Sequence, residues 1–143
     1  MTPKAAIVPA MAEGRQKKRA GDELLDGGSP ETPIAFGAYE IVGKIGRGGM
    51  ANVYHGRVFD DPHQRLAIKC MRPKLAAEER FVEMFSREAK LALLLEHPGI
   101  VRTFDAGEAL ERFYIAMEYI PGHDLAAVLR RCQETQRRLP VPH

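Results

Sequence analysis

The chain has 143 residues, 45% hydrophobic and 28% charged, the proportions of an ordinary globular domain and not of a fibre or a disordered chain. Lys and Arg number 21 against 19 Asp and Glu, too small a surplus for a partner held by counterion release from phosphates, so nucleic acid is not the expected partner. Cys70 and Cys132 form neither a disulfide framework nor metal-ligand spacing, which fits a reducing, cytoplasmic setting. The longest purely apolar run, Leu91–Leu95, falls far short of the ~18 residues that span a bilayer. The N-terminus, broken by Pro3 and Pro9, is a poor secretion signal.

In chain order, residues 1–33 mix glycines, four prolines and many charges without an apolar period, which predicts a flexible tail over 1–35. Its basic cluster Arg15–Arg19 is either an anion-contacting patch or a solvated linker balanced by Asp22, Glu23 and Asp26. From Phe36 the texture changes. Tyr39, Ile41 and Ile45 alternate with Glu40, Val42 and Lys44 at the period of two expected of a half-buried strand, and a second strand is expected over Val53–Phe59. Between them, Gly46, Gly48 and Gly49 permit a tight turn and close approach of backbone amides to a ligand. Asp60-Asp61-Pro62 predicts a turn and Leu66–Met71 a third strand, with Ala67, Lys69 and Met71 on one face and Leu66, Ile68 and Cys70 on the other.

Glu78–Glu96 holds no Gly or Pro, and Phe81, Phe85, Glu88, Ala92 and Leu95 recur at helical spacing, so Glu88 interrupts an otherwise apolar stripe. His97-Pro98-Gly99 ends this helix. Two more strands are expected at Ile100–Phe104 and Phe113–Tyr119, joined by a turn over Asp105–Arg112. After Pro121-Gly122, Asp124 is the expected N-cap of a helix reaching about Cys132, and Pro140 and Pro142 close the chain.

A glycine-rich turn alone is weak evidence of function. The dinucleotide-binding fingerprint requires a helix after the turn, whereas here a strand follows, and no Gly-Lys-Ser/Thr closes a Walker loop. A glycine-rich hairpin over phosphates needs a cation nearby, and Lys69 is the candidate. Ala67, two residues before it, leaves room for a flat ring. The competing reading of Lys69 is an edge-strand lysine that discourages aggregation. A carboxylate on a buried stripe costs several kcal/mol unless an opposite charge meets it, so Glu88 and Lys69 answer each other. The competing reading places Glu88 at the exposed margin of the stripe.

In order along the chain, Gly46-Arg47-Gly48-Gly49-Met50-Ala51-Asn52-Val53, Leu66-Ala67-Ile68-Lys69, Glu88, His97-Pro98-Gly99-Ile100-Val101 and Met117-Glu118-Tyr119-Ile120 resemble the N-terminal lobe of a protein kinase. The resemblance runs from Phe36 to the chain end, and the Gly-x-Gly-Gly-Met loop is similar to those of bacterial serine/threonine kinases. It implies an α+β small lobe of five antiparallel strands and one long helix over 36–120. Residues 121–143 would be the hinge and first helix of an otherwise missing helical C-lobe. ATP is the implied ligand. The glycine-rich loop Gly46–Asn52 would lie over its phosphates, with Ile45, Val53 and Ala67 covering the adenine. Lys69 would contact the α and β phosphates, and Glu88 would orient Lys69. The backbones of Glu118 and Ile120 would bind the adenine edge, Asp124 would lie near the ribose, and Met117 would guard the inner pocket.

Two departures stand out. Ala51 replaces the third loop glycine, a mild change. No His-Arg-Asp, Asp-Phe-Gly or Ala-Pro-Glu occurs, so the proton acceptor and the Mg2+ ligands of the kinase mechanism are absent from these residues. The expectation is the ATP-binding part of a serine/threonine kinase acting on protein Ser/Thr hydroxyls, inactive by itself, with Mg2+ bound only when the C-lobe is present. The alternative is a non-catalytic nucleotide-binding module that interferes with intact kinases. Nucleic-acid binding through Arg15–Arg19 and through Arg130, Arg131, Arg137 and Arg138 lacks the aromatic platform such binding uses.

Overall fold

The computed structural model describes residues 21–139, so Arg15–Arg19, Pro140 and Pro142 lie outside the described residues. The elements are α1 (Asp22–Asp26), β1 (Ile34–Phe36), β2 (Tyr39–Arg47), β3 (Ala51–Val58), β4 (Asp61–Met71), α2 (Glu79–Leu94), β5 (Thr103–Ala109), β6 (Arg112–Glu118) and α3 (Leu125–Glu134). The strands form one antiparallel sheet in the order β1-β2-β3-β4-β6-β5. This is the expected α+β small lobe with one strand more than the five anticipated.

The sheet is covered on both faces, which explains why Leu66–Met71 reads as an almost unbroken apolar run. Leu66, Ile68 and Cys70 join Tyr54, Tyr114, Phe36, Ile41 and Leu25 in one core cluster. Met71 joins Ala51, Phe113, Ile115 and the α2 residues Phe85 and Ala89 in the other. The face assignment made from period two therefore holds for Leu66–Met71, the covered part of β4. Cys70 is fully buried, and desolvation chiefly pushes its thiol up to about 12, far from the thiolate state that reactivity needs.

Three local expectations change. Residues 22–35, expected in a flexible tail, hold α1 and most of β1, and Leu25 is fully buried in the first cluster with Phe36, the first residue of the expected lobe. One leucine and one phenylalanine suffice because the sheet already offers an apolar surface for them, so no periodic stripe was needed. Next, the turn expected at Asp60-Asp61-Pro62 occupies Phe59 and Asp60, and β4 starts at Asp61 with its first five residues exposed.

The third change concerns Asp105, expected in a turn. It lies inside β5, and the turn is Leu110-Glu111, where both residues take positive φ, 47° and 58°. That geometry suits a two-residue hairpin, but it is encoded here without the Asn-Gly pair that announces it. Asp105 is buried because its Oδ2 accepts from the hydroxyls of Tyr39 and Tyr114, each at 2.9 Å, and its Oδ1 accepts from the Ala106 amide. Its polarity is used internally and not by solvent.

Helix α2 buries Phe85 and Ala89 and half-buries Phe81, Val82 and Leu93. It ends at Leu94, so Leu95, expected on its stripe, is beyond the helix and about half exposed. The His97 ring then accepts from the Gly99 amide, fixing the turn toward β5.

Candidate functional site

The glycine-rich segment is the hairpin between β2 and β3. Its register pairs Gly46 with Val53 and Arg47 with Asn52, after a break between Lys44 and Gly46. The Gly48 amide donates to the Ala51 carbonyl at 2.9 Å, and a Cβ on Gly48 would fall 2.8 Å from that same oxygen. Gly48 is thus required by the turn itself. Gly46 and Gly49 differ: a Cβ on either meets nothing within 4 Å. The fold does not need those two glycines, so the space they leave is available to a ligand approaching the backbone. The tip is also held from outside, because the Arg72 amide at the end of β4 donates to the Met50 carbonyl at 2.9 Å.

Cross-strand register then sets what shares a face with the underside of this hairpin. Val53 pairs with Lys69, which pairs with Ile115, and Ala67 pairs with Met117. Alternation puts Ala51, Val53, Ala67, Lys69 and Met117 on one face, the face that α2 covers at its far end. Lys69 Nζ donates to Glu88 Oε1 of α2 at 2.6 Å. The two residues singled out as answering each other, 19 positions apart in sequence, are therefore in contact.

Glu88 does not interrupt the buried stripe, however. Its side chain is 50% exposed and that of Lys69 is 29% exposed, while the buried positions of α2 are the neighbouring Phe85 and Ala89. The exposed-margin reading of Glu88 is the correct geometry, and yet the pairing holds. Coulombic attraction, and not relief of a burial penalty, accounts for the contact, and an ion pair this open adds little to stability.

Asn52 also departs from its expected company. It pairs with Cys70, which puts its side chain on the opposite face from Lys69. That side chain is fully buried beside Tyr54, and neither of its polar atoms has a hydrogen-bond partner within bonding geometry. Only its backbone borders the loop. Ile45, by contrast, is 48% exposed at the hairpin's root.

At the end of β6, Met117 is half-buried and Glu118 exposed, and beyond the strand Ile120 and Asp124 are exposed. The Glu118 amide donates to the Arg102 carbonyl at 2.8 Å, so a contribution from Glu118 to a bound base has to come through its carbonyl. Asp124 caps α3 as expected, its Oδ1 accepting from the Ala127 amide at 2.6 Å. Sequence reasoning missed how Tyr119 is held. Its ring stacks on His55 of β3 with centroids 4.3 Å apart, and the Arg65 guanidinium of β4 lies 5.1 Å from its centroid. These contacts pin the segment after β6 to the sheet, and no local pattern in the sequence announces them.

A glycine-roofed sheet face, a lysine on its third long strand and a helix glutamate bonded to that lysine together form the small lobe that the sequence motifs describe. The protein kinase domain model matches residues 39–140. The chain belongs to the protein kinase family.

This kinase lobe is 38% identical over 109 residues to the tyrosine-protein kinase MasK of Myxococcus xanthus, covering 75% of this chain and 17% of MasK. It is 43% identical over 91 residues to the serine/threonine-protein kinase PrkC of Bacillus subtilis, covering 62% and 14%. The chain thus spans less than a fifth of the length of these curated relatives. Among solved structures, the PknI kinase domain of Mycobacterium tuberculosis superposes with a TM-score of 0.58 at 32% identity, covering 75% of this chain and 42% of that domain.

The lobe presents a roof and no facing wall among the described residues. Two open clefts, about 570 and 940 Å3, lie along the connection between α2 and β5 and along α3, and neither is lined by Lys69 or the hairpin. No group of three or more His, Cys, Asp or Glu side chains among the described residues is placed to hold a metal ion. No helix among them is long and apolar enough to cross a membrane.

Proposed function

We propose that this lobe binds ATP as part of a cytoplasmic serine/threonine protein kinase that transfers the γ-phosphate to protein hydroxyls. The observation that carries the reading is the 2.6 Å Lys69–Glu88 contact beneath a hairpin whose Gly46 and Gly49 face open space. Backbone amides of the hairpin would meet the phosphates, and Glu88 would keep the Lys69 ammonium fixed where it reaches the α and β phosphates. Ile45, Val53 and Ala67 would cover the adenine, the Glu118 carbonyl and the Ile120 amide would bind its edge, and Met117 would line the inner pocket. Asp124 keeps one carboxylate oxygen beyond its capping bond for the ribose.

Mg2+ supplies charge neutralisation at the phosphates in this family, and its ligands are not among these side chains. Residues 121–139 serve as the hinge and the first helix of the larger lobe. The remainder of that lobe covers the exposed Leu91, Leu94, Ile100 and Val101. MasK is named a tyrosine kinase and PrkC a serine/threonine kinase; we favour the latter specificity on the Gly-x-Gly-Gly-Met loop.

In the complete kinase, Lys69→Met lowers phosphate transfer by about 10²-fold or more while leaving folding intact, as radiolabelled ATP and an acceptor protein measure. Near-normal turnover would show that another group holds the phosphates. Residues 1–143 alone transfer nothing, since they carry neither the proton acceptor nor the metal ligands.

A further inference from the structure

The face of the sheet opposite Lys69 carries a second set of charged contacts, all of which converge on α1. Asp26 accepts from Lys44 Nζ of β2 and from the Tyr54 hydroxyl of β3, each at 2.9 Å. Lys44 and Tyr54 are a cross-strand pair, and the hairpin's register break begins immediately after Lys44. Asp26 therefore clasps the two strands together at the root of the glycine-rich hairpin. Four residues earlier, Asp22 accepts from Arg112 Nη2 at 2.8 Å and lies 3.8 Å from Arg72 Nε. Arg112, fully buried, also donates from Nε to the Met71 carbonyl, and the next residue, Arg72, gives its amide to Met50 at the hairpin tip.

The helix is seated closely enough to make these contacts effective. Leu25 is fully buried in the core of this face, and a Cβ on Gly28 would lie 2.6 Å from the Ile41 carbonyl, so only glycine lets the segment run against β2. A five-residue helix thus grips the root of the hairpin with Asp26 and the strand end that holds its tip with Asp22. Each exposed ion pair is weak by itself. Tyr54, however, is fully buried, and its hydroxyl loses a charged acceptor if Asp26 is changed.

We propose that α1 is a strap that sets the position of the glycine-rich hairpin over the nucleotide, with Asp26 as its positioning residue. Its effect on affinity rests on the ATP-binding reading above; its effect on the hairpin does not.

Hydrogen exchange and ATP titration of the full chain and its Asp26→Asn variant test this. Amides of residues 46–53 should exchange about tenfold faster in the variant, a loss of the order of one hydrogen bond to a charged group, while those of β6 are unchanged. The Kd for ATP should rise by a similar factor. Tyr54→Phe and Lys44→Met, which each remove one donor and keep the packing, should each give part of the effect even if Asp26→Asn fails to fold. Unchanged exchange over 46–53 in all folded variants would overturn the proposal, as would acceleration spread evenly over the sheet, which marks a merely structural role. If ATP binds neither the unaltered chain nor the complete kinase, the ATP reading fails and the exchange data still decide the strap.

Discussion

The two faces of the sheet are built on opposite plans. On the face away from Lys69 the carboxylates are taken up by partners within the fold: buried Asp105 takes two tyrosine hydroxyls, Asp22 takes a buried guanidinium, and the more open Asp26 takes a lysine and a buried tyrosine. On the Lys69 face the groups of interest are left open, with two glycines facing empty space and an ion pair between half-exposed side chains. A surface that must receive a charged ligand keeps its polar groups accessible, because a group already satisfied within the fold has nothing to offer a substrate.

The contrast can be broken at its strongest point by mutating the core beneath α2. Phe85→Ala should lower stability by about 3–5 kcal/mol, read from the denaturant midpoint, because the ring is buried against Ala51, Met71 and Phe113 in the second cluster. A loss below about 1 kcal/mol would mean that α2 is not anchored as described. Its neighbour Glu88 should behave in the opposite way. Glu88→Gln should leave stability within about 0.5 kcal/mol, as half-exposed pairs do, yet cut turnover of the complete kinase by on the order of 10²-fold through a displaced lysine. Equal losses of stability and turnover would erase the distinction between the buried core under α2 and the open ion pair beside it.

On the opposite face, Asp105→Ala should cost about 1–3 kcal/mol for each buried hydroxyl left unpaired, with both Tyr39 and Tyr114 affected. The smallest effect concerns His55. Burial, and after it the Arg65 guanidinium, hold its imidazole below the ordinary 6.5, so as pH falls the unfolded chain takes up this proton before the folded one. Stability is then full above about 6.5 and declines as pH drops through the lower folded value. Tm measured between pH 7.5 and 5 should show a shallower decline in His55→Gln. An identical decline would remove His55 from the account.

Most of the roof was legible because its signals are local. Period two assigned both faces of β4 correctly, helical spacing found α2 within two residues of its ends, and Asp124 is the cap its position implied. Lys69 and Glu88 were paired from charge logic, although the supposed burial of Glu88 was mistaken. The failures share a cause. Leu25 and Ile34 in an otherwise polar stretch gave no period to read, and Asp105 looked like a turn residue because its tyrosine partners lie 66 and 9 positions away.

What the sequence determined by itself was the kinase small lobe, with most of its strands, its long helix and the pairing of Lys69 with Glu88. These follow from periodicity and from the ordered motifs of one family. Only the tertiary structure decided which polar residues are spent inside the fold and which remain open, since that depends on partners brought together across the sheet. Asp22 and Asp26 illustrate the point: in sequence they balance a basic cluster, and in space they bond to β2, β3, β6 and the residue that follows β4. A short segment cannot signal such a role, because its stability comes from the surface it meets and not from any preference of its own.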